Sequence, residues 1–578
     1  MPRASAAPRR ARRTVVVGDG HAGAMAALRL CELGVPVRLV TSSPGFHAPS
    51  GHDKDGLSAA IGVADSTAAH LADTLAAGGD QADRSAILSL VLAAPRLHER
   101  LTRLGVPFER GSEGRVAVHP ASGCRTARTA YAGPITGQQV ARVLAEQLRR
   151  CEAREAVDAH GITLRGEALL ERNVGWDWIG LLRDDGGMAV GVIARHRSSG
   201  ETTCFAAEGV CAATGGFAGA FSPSTSARCA NGAAAAMLFE HGALFVDPSL
   251  VELGALSLTT VHKAIDLGDR LRGEGGRWFT LSRGKGSRPA RDVPDKERRY
   301  LANDPAITPG AAARTLLARV DRENELLYFD ASTVDRFRLR AALSEQAAIY
   351  KKLAGVDPYS EPLPVVVAVV ATLGGLWIDS ETDSRNGVAR ASPRNHATTV
   401  PGLYAAGDVA CQYHGAGRLP GNGLLARLHG GELAASGLAA HRDALRRSAL
   451  DLPGALFERA AVSAASQQPA SASPAVEVEL ARMLGEAALY DDGANWDALA
   501  ERVRELCSTP PTPAFARLAE LFVLGAQSRE HAGRRRFFAL VGDSITEVDS
   551  ASYECAGRII EVSAAIDKGP QTAVEVVS

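Results

Sequence analysis

Charge of one sign is missing from this 578-residue chain: 64 Lys and Arg face 65 Asp and Glu, for a formal net charge of -1. No whole-chain basic field exists, which argues against nucleic acid as a partner. Aromatics are also scarce at 5%, so the core has to rest on Ala, Val and Leu. The nine Cys form no CxxC pair and no short cluster. That spacing argues against an iron–sulfur or structural zinc site, and no metal site is predicted. An odd, scattered set of thiols fits a reducing, cytoplasmic setting. No run of about 18 apolar residues occurs, so no membrane span is expected. The N-terminus carries Arg3, Arg9, Arg10, Arg12 and Arg13 but no apolar core or cleavage site behind them, so it reads as a solvated arm rather than a signal peptide.

What the chain does have is glycine, 59 residues of it, gathered in three useful clusters. The first follows a short apolar run. Residues 14–45 read as strand (TVVV), glycine turn (GDGHAG), helix (AMAALRLCELG) and strand (VPVRLVTS). Gly18, Gly20 and Gly23 make GxGxxG at the junction of strand and helix. The first glycine allows the tight turn, the second lets backbone approach a pyrophosphate, and the third lets helix pack on strand. The helix N-terminus then offers free N–H groups and partial positive charge. An acid is expected at the tip of the second strand; Thr41, Ser42 and Ser43 stand there instead, and their hydroxyls can still bond a ribose.

Further along, 65–105 reads as two helices, and a middle stretch to about 208 alternates short strands with loops. A second glycine cluster closes the strand VCAATGG (210–216). Residues 236–355 are richer in charge and loops and read as an insertion. An apolar run at 364–370 restarts a strand, and the third glycine-rich region spans 402–431. The stretch 464–475 is low in complexity and reads as a linker. Helices are expected at 476–490, 495–507 and 513–532, followed by a short irregular tail. No repeat of fixed period is present.

The ordered motifs resemble one family. GLYAAGDVA (402–410), YHGAGRLPGNGLL (413–425), CAATGG (211–216), STSARCANGAAAAM (224–237), LRGEGGRW (271–278) and SREHAGRRRFF (528–538) are similar to motifs of the fumarate reductase / succinate dehydrogenase flavoprotein family, which includes L-aspartate oxidase. The double helix at 65–110 is similar in sequence and spacing too. The resemblance implies an α/β fold: a two-segment Rossmann-like FAD-binding domain (12–235 and 356–445), an inserted capping domain (236–355) and a C-terminal helical domain (446–578). It implies non-covalently held FAD, with Asp408 bonding the ribityl chain. The cofactor set it implies is Gly18, Gly20, His21, Ala22, Gly23, Thr41, Ser42, Gly56, Ala213, Thr214, Gly215, Gly407, Asp408, Arg418, Gly423 and Leu424. His52 falls near the position where some members attach FAD covalently, and reads here as a loop histidine.

The substrate end departs from the family. The family's HPT histidine falls on Asp247, and the histidine of its HxTMGG falls on Val370. Its Thr–Glu pair falls on Gly268 and Asp269, and its catalytic Arg falls near Pro309, with Arg314 matching a later one. Arg418 and Arg272 are retained. A dianion needs several donors converging on two carboxylates. Asp for His at 247 adds negative charge, and Val for His at 370 deletes a donor. The expectation is therefore hydride transfer between flavin and a small carboxylate- or amine-bearing metabolite other than succinate or fumarate. Arg418 would hold an anionic group, Asp269 and Arg272 would relay a proton, and Asp247 would recognise an amine, act as a base, or simply cap a turn. His414 would form part of the site wall, Tyr413 and Trp278 would line a pocket or the core, and Cys411 would be a small buried apolar group. The electron acceptor, oxygen or a redox partner, and the oligomeric state are open. Two rival readings stand beside this one: an electron-transfer subunit needing a separate iron–sulfur partner, and a non-catalytic FAD-binding protein.

Overall fold

The computed structural model describes residues 13–43, 56–259, 264–266, 277–282, 291–292, 325–381, 388–445, 474–490, 496–508, 515–527, 535–548 and 551–577, with short gaps at 134, 158–161, 333, 338, 341–346, 348–349, 353–354, 390–391, 412, 542–543, 556–557 and 563–573. Its centre is a five-stranded parallel sheet. The strand order is Leu403–Ala405, Val210–Ala212, Thr14–Val17, Val37–Thr41, Leu170–Val174. Val15 pairs with Val210 on one side and Arg38 on the other, and Val210 in turn pairs with Leu403. Strands buried on both faces read as continuous apolar runs, and TVVV and VCA do so. One sheet thus draws strands from residues 14–212 and from 403–405, the two segments expected to cooperate.

The first helix, His21–Glu32, is Ala-rich and almost wholly buried. Small side chains let it approach closely: a Cβ on Gly23 would strike the carbonyl of Gly18. On its other side lies the long helix Asn422–Leu445, where a Cβ on Gly431 would strike the carbonyl of Ala22. The expected helices at 65–105 are present as Thr67–Gly78 and Arg84–Leu104, capped by Ser66 and Asp83, whose side chains accept from the N–H groups of Ala69 and Ala86. A further helix, Thr136–Glu152, lies in the stretch expected to hold only strands and loops.

A six-stranded sheet runs in the order Ala264–Asp266, Val251–Thr259, Leu363–Thr372, Glu325–Asp330, Arg277–Ser282, Arg291–Asp292. The apolar run at 364–370 is therefore a central strand of this second sheet, and its C-terminal end returns the chain to the first. There the Thr372 hydroxyl accepts from the N–H of Phe217 (3.2 Å), just past the second glycine cluster. The C-terminal helices are Pro474–Leu489, Trp496–Ser508 and Ala516–Gln527. The tail expected to be irregular is instead β: Phe537–Val541 pairs with both Phe245–Val246 and Ser544–Val548. Its Phe537 and Ala539 bury with Leu244, Val246, Trp377 and Cys411, while Phe538 joins the main core, a stabilisation available only once those distant residues are in place. No helix among the described residues is long and apolar enough to cross a membrane.

Candidate active site

The C-terminal ends of the parallel strands are where an open α/β sheet binds ligands, and the three glycine clusters meet there. Gly18 takes φ +95, and a Cβ on it would overlap the carbonyl of Ala213. The second cluster thus presses directly on the first. The helix His21–Glu32 begins at Gly20 with no side-chain cap, although His21, Ala22 and Gly23 are buried. A buried, uncapped helix start needs an outside acceptor, and a pyrophosphate is the acceptor this geometry suits. Thr214 adds a buried hydroxyl without a partner, between Ala213 and Gly215. From the third cluster, Gly407 sits at φ +77 against the side chain of Ala22. The residues present therefore fit a dinucleotide cofactor. Gly423 and Leu424 open the helix Asn422–Leu445, with Leu424 fully buried.

The strand tip holds an acid that sequence reasoning missed. The Thr41 hydroxyl reaches Asp19 Oδ1 (3.2 Å) and the carbonyl of Ser43 (2.6 Å), while Ser42 is exposed. Asp19 lies between the two leading glycines, is buried, and has Arg172 at 3.8 Å. Its signal was an acid inside GxG rather than after the second strand. Two other implied residues do local work. His21 bonds the carbonyl of Gly137 through Nε2 (2.8 Å), tying the first helix to the start of Thr136–Glu152. Gly56 lies where a Cβ would meet the carbonyl of Ala130, so packing alone requires it there.

Asp408 is held by Arg427, also unsuspected from the sequence. Arg427 Nε and Nη2 contact both carboxylate oxygens at 2.7–3.0 Å, a bidentate pair. Burial pushes the Asp408 carboxyl up, but Arg427, helped by Arg418, holds it down at about 2, so it is ionised and an acceptor at neutral pH. Beneath this turn, His396 bonds the Ala405 carbonyl and the Tyr413 hydroxyl, both at 2.7 Å. Tyr413 therefore belongs to the core and does not line the site.

Arg418 is buried and forms an ion pair with Glu252 at 2.6 Å. Glu252 comes from the six-stranded sheet, opposite Ala371 and one residue from the pair Val251 and Thr372. His414 is half-buried beside these groups; burial first, then Arg418 and Arg427, push its imidazole down to about 3, so it is neutral. Asp247 lies elsewhere in the network. It sits at φ +48, its Oδ1 accepts from the N–H of Arg536 (2.8 Å), and its Oδ2 is 3.7 Å from Arg535 Nε. Arg535 also reaches Asp83 (3.3 Å) and the carbonyl of Cys411 (3.1 Å), and Cys411 is buried. The position that carries a histidine in the family's HPT motif is thus turned toward the C-terminal segment. Asp269, Arg272, His52, Pro309 and Arg314 lie outside the described residues, as does the side chain of Trp278.

Residues 13–424 match the family described as "FAD binding domain". The succinate dehydrogenase flavoprotein subunit of Bacillus subtilis is 30% identical over 454 residues, 77% of this chain and 72% of that protein. An L-aspartate oxidase of Mesorhizobium japonicum is 31% identical over 419 residues, 71% of each chain. Among solved structures, a mutant chain of E. coli quinol fumarate reductase superposes with a TM-score of 0.75 at 20% identity, covering 93% of this chain and 96% of that one. The chain belongs to the FAD-binding flavoprotein family of succinate dehydrogenase, fumarate reductase and L-aspartate oxidase; it is an oxidoreductase, and FAD is its cofactor.

Proposed function

We propose that the protein moves a hydride between flavin and a small carboxylate- or amine-bearing metabolite, and that succinate and fumarate are not its substrates. One observation carries the reading: the cationic side chain that a dicarboxylate would need, Arg418, is already neutralised by Glu252. Two more support it. Asp247 is committed to Arg535 and Arg536, and Val370 offers no donor. A second carboxylate entering such a site would lose its hydration without an equivalent partner.

In this reading FAD is held non-covalently and supplies the redox step at its ring. The chain's own groups do the rest. The uncapped helix at Gly20 takes the pyrophosphate, Asp19 accepts from the ribose in place of the missing strand-tip acid, and Asp408 accepts from the ribityl hydroxyls while Arg427 fixes its orientation. Neutral His414 walls the site and Arg418 orients one carboxylate. Asp269 and Arg272 relay the proton. The division into an FAD domain (12–235, 356–445), a cap (236–355) and a C-terminal part (446–578) belongs to the same proposal. So does a cytoplasmic setting, in keeping with eight free thiols among the described residues.

Anaerobic mixing of the holoprotein with small carboxylates, hydroxy acids and amino acids tests the proposal through bleaching of the oxidised flavin band. Bleaching by succinate at a rate matching the best substrate would overturn it. Arg418→Ala is expected to keep FAD and lose bleaching; normal turnover would remove Arg418 from the site. Oxygen uptake by the isolated chain then separates an oxidase from a protein that hands electrons to a redox partner.

A further inference from the structure

Glu252 has no counterpart among the family motifs that the sequence displays, yet it is the group in direct contact with the retained Arg418. It is not a surface partner. Arg418 is 5% exposed and Glu252 16%. The strand that carries Glu252 is locked to Leu363–Thr372 by the pairs Val251 with Thr372 and Glu252 with Ala371. Thr372 is in turn bonded to Phe217, at the end of the second glycine cluster. The carboxylate is therefore fixed at the seam between the six-stranded sheet and the flavin-binding turns.

Among the described residues, the charges around it include two ion pairs. Glu252 stands with Arg418 and Asp408 with Arg427, while His414 is neutral. Among the described residues, a ligand with net charge -2 would find no net positive charge here and would meet the Glu252 carboxylate. A ligand with no net charge but two charged ends avoids both costs. Its carboxylate meets the guanidinium, whose five donors exceed what one carboxylate takes, and its ammonium meets Glu252.

We infer that Glu252 and Arg418 together form a receptor for the zwitterionic head of an α-amino acid whose side chain carries no charge, with Glu252 as the ammonium's partner and the specificity-determining residue. This rests on the proposed function and names its substrate class. The reaction balances as an amino-acid oxidation. The Cα–H bond breaks and its electron pair leaves as hydride to the flavin, one ammonium proton leaves to water, and a C=N bond forms. Water then hydrolyses the imino acid to a 2-oxo acid and ammonium. Electrostatic pairing of this kind discriminates mainly by rejecting ligands that leave a buried charge unmatched.

The test uses the FAD-loaded protein and ligands that bind without reacting. The probes are 2-aminoisobutyrate, α-methylleucine and α-methylphenylalanine, which lack the Cα hydrogen. Each is compared by calorimetry with the same acid bearing hydrogen in place of the amino group. The wild type is expected to bind at least one amino acid about tenfold or more tighter than its des-amino partner. Glu252→Gln should bring the two within about twofold, chiefly by weakening the amino acid, while Glu252→Asp keeps the preference. The visible flavin spectrum of each variant verifies folding and loading. Tighter binding of the des-amino acids or of succinate by the wild type, no binding of any probe, or a preference untouched in Glu252→Gln, overturns the inference. Failure of the broader proposal is distinguishable: no metabolite of any class would then bleach the flavin in the anaerobic screen, whatever the calorimetry shows.

Discussion

At the scale of single residues, the turns expected to hold the cofactor carry a local signal in the sequence and the charged pairs around the expected substrate end do not. Gly18, Gly20 and Gly23 are readable because a tight turn, a phosphate approach and a helix contact each demand a missing side chain at a fixed spacing. Gly20→Val is expected to leave the protein colourless after incubation with excess FAD; a stoichiometrically yellow variant would misplace the pyrophosphate. Asp19, Arg427 and Glu252 were not legible, since each takes its meaning from a partner 19 or more positions away in the chain: Thr41, Asp408 and Arg418. The strand tip supplies the sharpest residue-level check. Removing a charged acceptor from a ribose hydroxyl costs about 1.5–3 kcal/mol, roughly 10–100-fold in affinity. Asp19→Ala should therefore raise the FAD dissociation constant by at least about tenfold, read by fluorescence quenching on titration. An unchanged constant would return the ribose to the hydroxyls of Thr41 and Ser42.

At the scale of elements, what the sequence showed depended on how local the signal was. The helices Thr67–Gly78 and Arg84–Leu104 announce themselves through caps as well as apolar periodicity. Thr136–Glu152 escaped because its buried stripe is narrow, with Val140, Leu144 and Leu148 giving one side chain per turn. Ile135 at its start also makes no side-chain cap. The strand Phe537–Val541 pairs locally with Ser544–Val548, but what buries it is Phe245–Val246, hundreds of residues upstream, and a pairing of that range leaves no local pattern. Asp83 does two jobs that substitution can separate. Its Oδ1 caps the Arg84–Leu104 helix at Ala86 (3.0 Å), and its Oδ2 lies 3.3 Å from Arg535. Asp83→Asn keeps a capping oxygen and loses the charge, whereas Asp83→Ala loses both. Calorimetric melting should find the alanine variant less stable than the asparagine variant by about 1 kcal/mol, the usual worth of a cap. Equal melting temperatures would mean that the ion pair, and not the cap, anchors this helix.

At the scale of the whole molecule, the glycine-rich segments far apart in sequence are stitched together by histidines that must stay neutral. His70 bonds Asn422 (2.9 Å) and Ser89 bonds His429 (3.1 Å), joining the 65–105 helices to the 396–429 region that carries Asp408 and Arg418, and within that region His396 bonds Tyr413 (2.7 Å). Burial is the first cause that depresses each imidazole from the ordinary 6.5, to about 4 for His70 and His396 and about 3 for His429. His98, stacked on Phe108, is depressed to about 4 in the same way. Between pH 6.5 and these values the unfolded chain binds protons that the folded chain refuses. Stability is therefore complete above pH 6.5 and falls as the pH drops toward 4, by up to about 1.4 kcal/mol per pH unit for each histidine still neutral. Asp408 adds to the same limb only lower, as the pH falls from 3.8 toward 2. Melting temperatures measured from pH 8 to pH 4 should thus be level above 6.5 and decline below it, well before carboxylates titrate. His429→Gln, which keeps a polar group facing Ser89, should make the decline shallower while costing some stability at pH 8. A curve that stays flat to pH 4.5, or a variant with an unaltered slope, would show that these imidazoles accept protons in the folded state and that the seam between the two segments opens without unfolding.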